Sequence, residues 1–315
     1  MSKKWMVTGA AGFLGSHVVE QLLERGDKVV AVDNMGWGIQ EHIDPHLEHK
    51  NFKFYKEDIC KIEAMNKIFT EEKVDGLIHL AAIHFIPDCI KDPSKAVKFN
   101  IFGSQVVLKA ALDSGVKFLW FASTGDVYKP SETAHTEEAA LEPFNIYGKS
   151  KLLMEELVRF GAQEYPDRKI VIGRLLNLYG SRETNPHILP EIIGQLKKDI
   201  NTTLRLGNLY PKRDLVPIHE VARAIYEVFE KIDDGCFTLN FATGVAQSMQ
   251  EVIDMVGEVL GKKINVETDP AKVRATERPH LQADVTKLKE ILGWTPNHDL
   301  KSGLTELLKG EGLLT

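Results

Sequence analysis

Six short apolar runs, at residues 5–8, 28–33, 52–55, 76–80, 118–122 and 170–173, constrain this 315-residue chain more than any other feature. Each is rich in Val, Ile, Leu or Phe and is bounded by Gly, Asp or Lys, so each reads as a strand. Helical patterns at 13–25, 62–70, 93–114 and 147–163 lie between them. Strands that are apolar along their whole length need cover on both faces, which parallel sheets receive from helices. Right-handed crossovers then lead to an α/β fold with a doubly wound parallel sheet, the Rossmann arrangement.

After about Leu175 the rhythm changes. Pro186, Pro190, Pro211 and Pro217 interrupt the pattern, and helices are expected to dominate at 190–198, 218–231, 248–260 and 286–292. We read two domains, 1–175 for the parallel sheet and 176–315 for a smaller mixed α/β unit. The run 237–241 is expected to return as a strand to the first sheet. The crevice between the two units is the natural place for ligands.

The segment Thr8-Gly9-Ala10-Ala11-Gly12-Phe13-Leu14-Gly15 joins the first strand to the first helix. Glycines at this spacing allow a tight turn, let the backbone approach a pyrophosphate and let the helix pack on the sheet. The free N–H groups of the helix start then face the phosphates. Asp33 ends the next strand, with Asn34 after it, 18 residues beyond Gly15. A carboxylate there accepts hydrogen bonds from ribose hydroxyls and repels a 2′-phosphate, so NAD is expected rather than NADP. Asp58-Ile59, after the third strand, is either an adenine contact or a solvated loop.

Charge and composition exclude several classes. With 39 basic and 45 acidic residues the net charge is −6, which gives no electrostatic reason to coat nucleic acid or an anionic membrane. No run reaches the roughly 18 apolar residues of a membrane span. Cys60, Cys89 and Cys236 are odd in number and far apart, which suits a reducing cytoplasm, and no secretion signal is evident. His42, His46 and His49 are interrupted by Pro45 and read as a polar loop, so no metal site is expected.

Tyr147 and Lys151 are four residues apart on one predicted helix and share a face. A fixed lysine cation beside a phenol, with a positive nicotinamide nearby, is expected to lower the phenol pKa from about 10 toward neutrality. Tyr147 then acts as general base on a sugar hydroxyl, with Thr124 hydrogen-bonded to the same oxygen. With these residues added, the chain resembles the extended short-chain dehydrogenases/reductases of the nucleotide-sugar epimerase/dehydratase type. The likeness runs through the glycine loop, His79-Leu80-Ala81-Ala82, Asn100, Ser123-Thr124, Val127-Tyr128 and Tyr147-Gly148-Lys149-Ser150-Lys151. It continues through Arg174 to Gly180, Arg213-Asp214, Ala283-Asp284 and Leu292-Gly293-Trp294-Thr295-Pro296.

The resemblance implies further roles. Leu80, Ala81, Ala82, His84 and Asn100 would join the cofactor contacts, and Ile86 and His187 would face the sugar or base. Asn177 and two arginines would hold the nucleotide diphosphate, Arg213 being the first. Arg274 and Arg278 compete for the second; the spacing to Asp284 favours Arg274, and Arg278 reads as a surface residue. Asp126 is either the base that a dehydratase needs at sugar C5 or a turn residue, while Gly125 cannot serve as an acid. A 4-epimerase is therefore the main expectation and a dehydratase the alternative. A non-catalytic NAD sensor is a third reading, which an intact Thr124, Tyr147 and Lys151 disfavours. A homodimer paired through the helices that start near Pro93 and Tyr147 is also implied.

Overall fold

A computed structural model describes residues 2–273, 277–294 and 296–314. The chain runs from β1 (Lys4–Thr8) through α1 (Phe13–Glu24), β2 (Lys28–Asp33), β3 (Phe52–Lys56), α2 (Ile62–Glu72) and β4 (Gly76–His79). It continues with α3 (Ile86–Lys91), α4 (Pro93–Val97), α5 (Ser104–Asp113), β5 (Phe118–Thr124), α6 (Ile146–Glu164) and β6 (Lys169–Leu175). Then come β7 (Asn177–Tyr179), α7 (Ile188–Lys198), β8 (Leu204–Leu206), β9 (Lys212–Pro217), α8 (Ile218–Glu227) and β10 (Gly235–Phe241). The last part holds β11 (Ala246–Ser248), α9 (Met249–Val259), β12 (Val266–Thr268), β13 (His280–Leu281), α10 (Thr286–Leu292) and α11 (Leu300–Gly310).

Seven strands form one parallel sheet in the order β10-β6-β5-β4-β1-β2-β3. The chain reverses direction across the sheet between β1 and β4, and such a switch point opens a crevice at the strand ends. Alternate residues supply the two faces, as the strand period requires. Trp5, Val7, Val29, Trp120 and Phe241 pack with α1 and α8 on one side. Met6, Val30, Leu77, Leu119 and Phe121 pack with α2, α5 and α6 on the other. A third core, built from Leu189, Leu204, Leu215, Val252 and Leu304, fills the smaller lobe.

One expectation needs correction. The helix expected over 93–114 is broken by a π-helical turn at Lys98–Gly103 between α4 and α5. That wider turn carries the buried Asn100, which grips the backbone of Ile83, and π-turns of this kind recur at functional sites. The helices expected after residue 175 are present as α7, α8, α9 and α10, and short strands join them: β11-β9-β13, with β7 on β9, make a four-stranded sheet, and β12 pairs with β8. Most of these strands are two or three residues long, too short for alternation to show.

Helix α6 is bolted to the sheet by buried charge. Glu155 on α6 and Arg174 on β6 are 0% and 1% exposed, joined by bonds of 2.9 and 2.8 Å. Ser123 on β5 donates to the same carboxylate at 2.5 Å, and Arg159 adds a bond at 2.7 Å. Burial pushes the Glu155 carboxyl up, but these donors outweigh it and hold it below its ordinary value. A depressed carboxyl contributes stability above the ordinary glutamate pKa and loses it as pH falls through the folded-state value. Glu155→Ala should therefore lower the unfolding free energy at pH 7 by about 3–5 kcal/mol in urea titrations. Glu156→Ala, on the exposed side of the same helix, should change it by less than about 0.5 kcal/mol.

Candidate active site

A cavity of about 1000 Å³ opens at the carboxyl ends of β1, β2, β4 and β5 and extends to the smaller lobe. Its floor is the glycine loop. Gly9 has φ +72°, and a Cβ there would sit 2.7 Å from the Ala81 nitrogen, while one on Gly15 would sit 2.0 Å from the Gly9 carbonyl oxygen. Side chains at either position would force the loop off β4 or α1 off the loop. Gly12, Phe13 and Leu14 complete the lining at the start of α1, where first-turn N–H groups have no helical partner.

Asp33, 8% exposed, accepts from the Ala11 nitrogen at 3.0 Å and the Met35 nitrogen at 2.8 Å. Burial pushes its carboxyl up, and these two donors oppose that. Asn34 lines the same end, with its side-chain oxygen accepting from Gly36 at 2.8 Å. Leu80, Ala81, Ala82 and His84 form the wall after β4. Ile59 lines the cavity as well, but Asp58 does not: its carboxylate caps the Cys60 nitrogen at 2.8 Å. Asn100 is also behind the wall rather than in it. Its amide bonds both polar groups of the Ile83 backbone, at 2.8 and 2.9 Å, and the Ser150 hydroxyl at 3.0 Å. It is thus a positioning residue.

Thr124, Tyr147 and Lys151 meet at the centre. Thr124 ends β5, accepts from the Asp126 nitrogen at 3.2 Å, and lies near enough to the Tyr147 phenol to oppose the rise in its pKa. Asn145 caps α6 by accepting from the Gly148 nitrogen at 2.8 Å, which fixes where Tyr147 enters the cavity. Lys151, 2% exposed, donates to the Ala122 carbonyl at 2.9 Å. Burial lowers its pKa to about 8.

The expected lowering of the tyrosine pKa is not met by the protein's own groups. Burial, and then the nearby Asp126 carboxylate, push the Tyr147 phenol above its ordinary value. Lys151 spends its ammonium on the Ala122 carbonyl instead of offsetting them.

At the far end, Asn177 has a buried side-chain oxygen without a partner among the described residues. Arg213 pairs with Glu277 at 2.5 Å. Arg278 is a correction: far from a surface residue, it is 4% exposed, donates to the Gly125 carbonyl at 3.0 Å and to that of Tyr128, and lies over the Phe144 ring. Its Nη1 is 3.9 Å from Asp126, whose carboxyl is pushed up by burial and held down by Arg278 and Arg213. Arg274 lies outside the described residues. Ile86 and His187 both line the cavity.

Sequence reasoning missed Glu183, which is hydrogen-bonded to His187, and Asn185, whose amide meets His84 at 2.9 Å. The four-residue spacing of Glu183 and His187 was a signal, but proline-rich surroundings hid it. Trp37 and Glu277 were missed because each acts through a partner distant in sequence. His42, His46 and His49 are engaged separately, on the Ala11 carbonyl, the Phe52 ring and the Asn51 nitrogen.

A buried lysine with a depressed pKa destabilises the fold while it is charged. Below pH 8 the full penalty applies, and it fades as pH rises toward the ordinary lysine value of 10.5. Lys151→Met should therefore raise the melting temperature of the nucleotide-free protein at pH 7. The gain over wild type should shrink in calorimetric scans taken at successively higher pH across that window.

Known proteins provide the comparison. The family model described as GDP-mannose 4,6 dehydratase matches residues 6–307. A UDP-glucose 4-epimerase from Lacticaseibacillus casei is 32% identical over 312 residues, covering 93% of this chain and 92% of its own. The solved UDP-glucose 4-epimerase of Thermotoga maritima, with UDP-glucose, is 29% identical with a TM-score of 0.86 and 97% of each chain covered. That of Thermus thermophilus, in complex with NAD, is 28% identical with a TM-score of 0.86, covering 98% of this chain and 99% of its own.

Proposed function

The chain belongs to the GDP-mannose 4,6-dehydratase family, and from that premise we propose that it is an NAD-dependent 4-epimerase of UDP-hexoses. The observation that carries the reading is that Thr124, Tyr147 and Lys151 line one cavity with the glycine cradle on one side and Arg213 and Arg278 on the other. A pure binding protein needs the cradle but has no use for a base at that point.

The cradle suits NAD. Gly9 and Gly15 leave no room for side chains where a pyrophosphate approaches α1. Asp33 keeps unshared lone pairs toward the cavity for two ribose hydroxyls. When bound, NAD supplies a two-electron acceptor and donor for a substrate carbon.

The chain's own residues supply the rest. Tyr147 takes the proton of the sugar C4 hydroxyl, and Thr124 holds that oxygen by a hydrogen bond. Lys151 sets a buried positive charge on the same helix face, one turn from the base. Asn177 offers an unpaired amide oxygen among the described residues, and Arg213 and Arg278 add positive charge to the wall that a nucleotide diphosphate would meet. The 4-keto sugar then turns over in the cavity, Tyr147 returns its proton, and the C4 epimer forms.

A dehydratase reading is favoured by one feature. Asp126 lies in the cavity beside Tyr147 with its carboxyl pushed up by burial, as a proton carrier needs. Mass spectrometry of UDP-glucose incubated with enzyme and NAD in deuterated water separates the two. Epimerisation gives a product of unchanged mass at a new retention time, whereas loss of water with uptake of a solvent deuteron overturns the assignment. Tyr147→Phe should lower kcat by about 10²–10⁴. Asp126→Asn should change epimerisation by less than tenfold.

We further propose a homodimer. Leu153 and Phe160, seven residues apart on α6, are 53% and 64% exposed, and Val97 and Phe102 are exposed beside the π-turn. Apolar side chains at that spacing form one stripe, which a second copy of α6 would cover. A Leu153→Glu, Phe160→Glu variant should run at half the wild-type mass in light scattering. Among the described residues no helix is long and apolar enough to cross a membrane.

A further inference from the structure

On the face of the sheet opposite α6, a cleft of about 340 Å³ is bounded by α1, α8 and the segment before α11. Inside it, His219, Glu220 and His298 bring three ligand atoms together. His219 Nε2 lies 3.3 Å from His298 Nδ1, and Glu220 Oε1 lies 3.1 Å from His298 Nδ1 and 3.8 Å from His219 Nε2. We propose that this cluster binds a divalent transition-metal ion of the zinc class, outside the catalytic cavity.

The spacing is the first argument. Tetrahedral zinc with bonds of about 2.0–2.1 Å sets its ligand atoms about 3.3–3.4 Å apart. The three measured separations bracket that edge. The two imidazoles also stand at 89° with centroids 5.0 Å apart, so their nitrogens converge while the rings do not stack.

The support around the cluster is the second. Glu220 is 1% exposed, and Arg223 holds its other oxygen, Oε2, at 2.6 Å, so Oε1 is kept turned toward the histidines. The Glu306 carboxylate stands 3.7 Å from the second nitrogen of His298, so the negative charge near the cluster is not Glu220's alone. Gln21 bonds the His219 carbonyl at 2.9 Å and leaves its buried Oε1 without a partner among the described residues. The cationic side chains lining the cleft are already answered: Arg223 by Glu220 and Glu227, and Arg25 by Glu230 and Asp27.

An ion here would have a structural role. His219 opens α8, which packs on α1 beside the large sheet, and His298 precedes α11, which packs in the smaller lobe. Ligands 79 residues apart would be joined at one point, across two cores. Binding to the folded state alone then raises its stability.

The test uses untagged, NAD-loaded protein freed of metal by chelation. Cobalt(II) should give visible absorption bands of tetrahedral strength at one equivalent per chain, displaced by zinc. Saturating zinc should raise the melting temperature by on the order of 5 °C. His298→Gln and His219→Ala should each weaken cobalt binding at least tenfold. Both sites are about one-third exposed, so the variants should fold, which circular dichroism and epimerase turnover check. Absence of the bands in wild type, or bands that persist unchanged in both variants, overturns the proposal.

Discussion

The buried pair of Glu155 and Arg174 decides where the chemistry sits. One carboxylate ties α6 to β6 through Arg174 and to β5 through Ser123, and Arg174 reaches on to the Glu137 carbonyl. The residue after Ser123 is Thr124, and one turn before Glu155 on α6 is Lys151. Locking this charge therefore sets the distance between the end of β5 and the face of α6 that carries Tyr147. A hydrophobic contact of equal area would hold the helix down but would let it slide by a residue. Ion pairs with several fixed donors tolerate no such slide.

The parallel sheet was legible because its central strands β1, β2, β4, β5 and β6 are buried on both faces and so read as continuous apolar runs. The position of Asp33 and the glycine loop was legible because each sits at the end of a strand that was itself legible. The rest depended on contacts that no local pattern announces. Arg278 read as a surface residue because nothing near it in sequence is apolar enough to bury it, yet the Gly125 and Tyr128 carbonyls and the Phe144 ring do so from far upstream. Asn100 sits in a helical pattern that gave no sign of a π-turn, and only the turn aims its amide at Ile83. The small second sheet was hidden by strands too short to alternate.

The same limit applies to the electrostatics. A Tyr-x-x-x-Lys spacing puts a cation near a phenol, and from that alone the phenol should ionise more easily. The folded protein adds two opposing facts, the loss of water around Tyr147 and the nearness of Asp126, and these raise the phenol pKa. Lys151, itself desolvated, has a carbonyl partner and a pKa near 8. The protein by itself therefore keeps both groups closer to neutral than the motif suggests.

This has a consequence for how the site works as a unit. Burial and Asp126 hold the Tyr147 proton more tightly than in water, so added positive charge nearby eases its loss. Under the proposed mechanism a positively charged ring beside Tyr147 would favour the phenolate, and a diphosphate would draw on Arg213 and Arg278, the two cations that restrain Asp126. The glycine cradle, the arginines and the base are in this sense one electrostatic device. The Glu155 lock places the β5 and α6 parts of it, Thr124 and Tyr147.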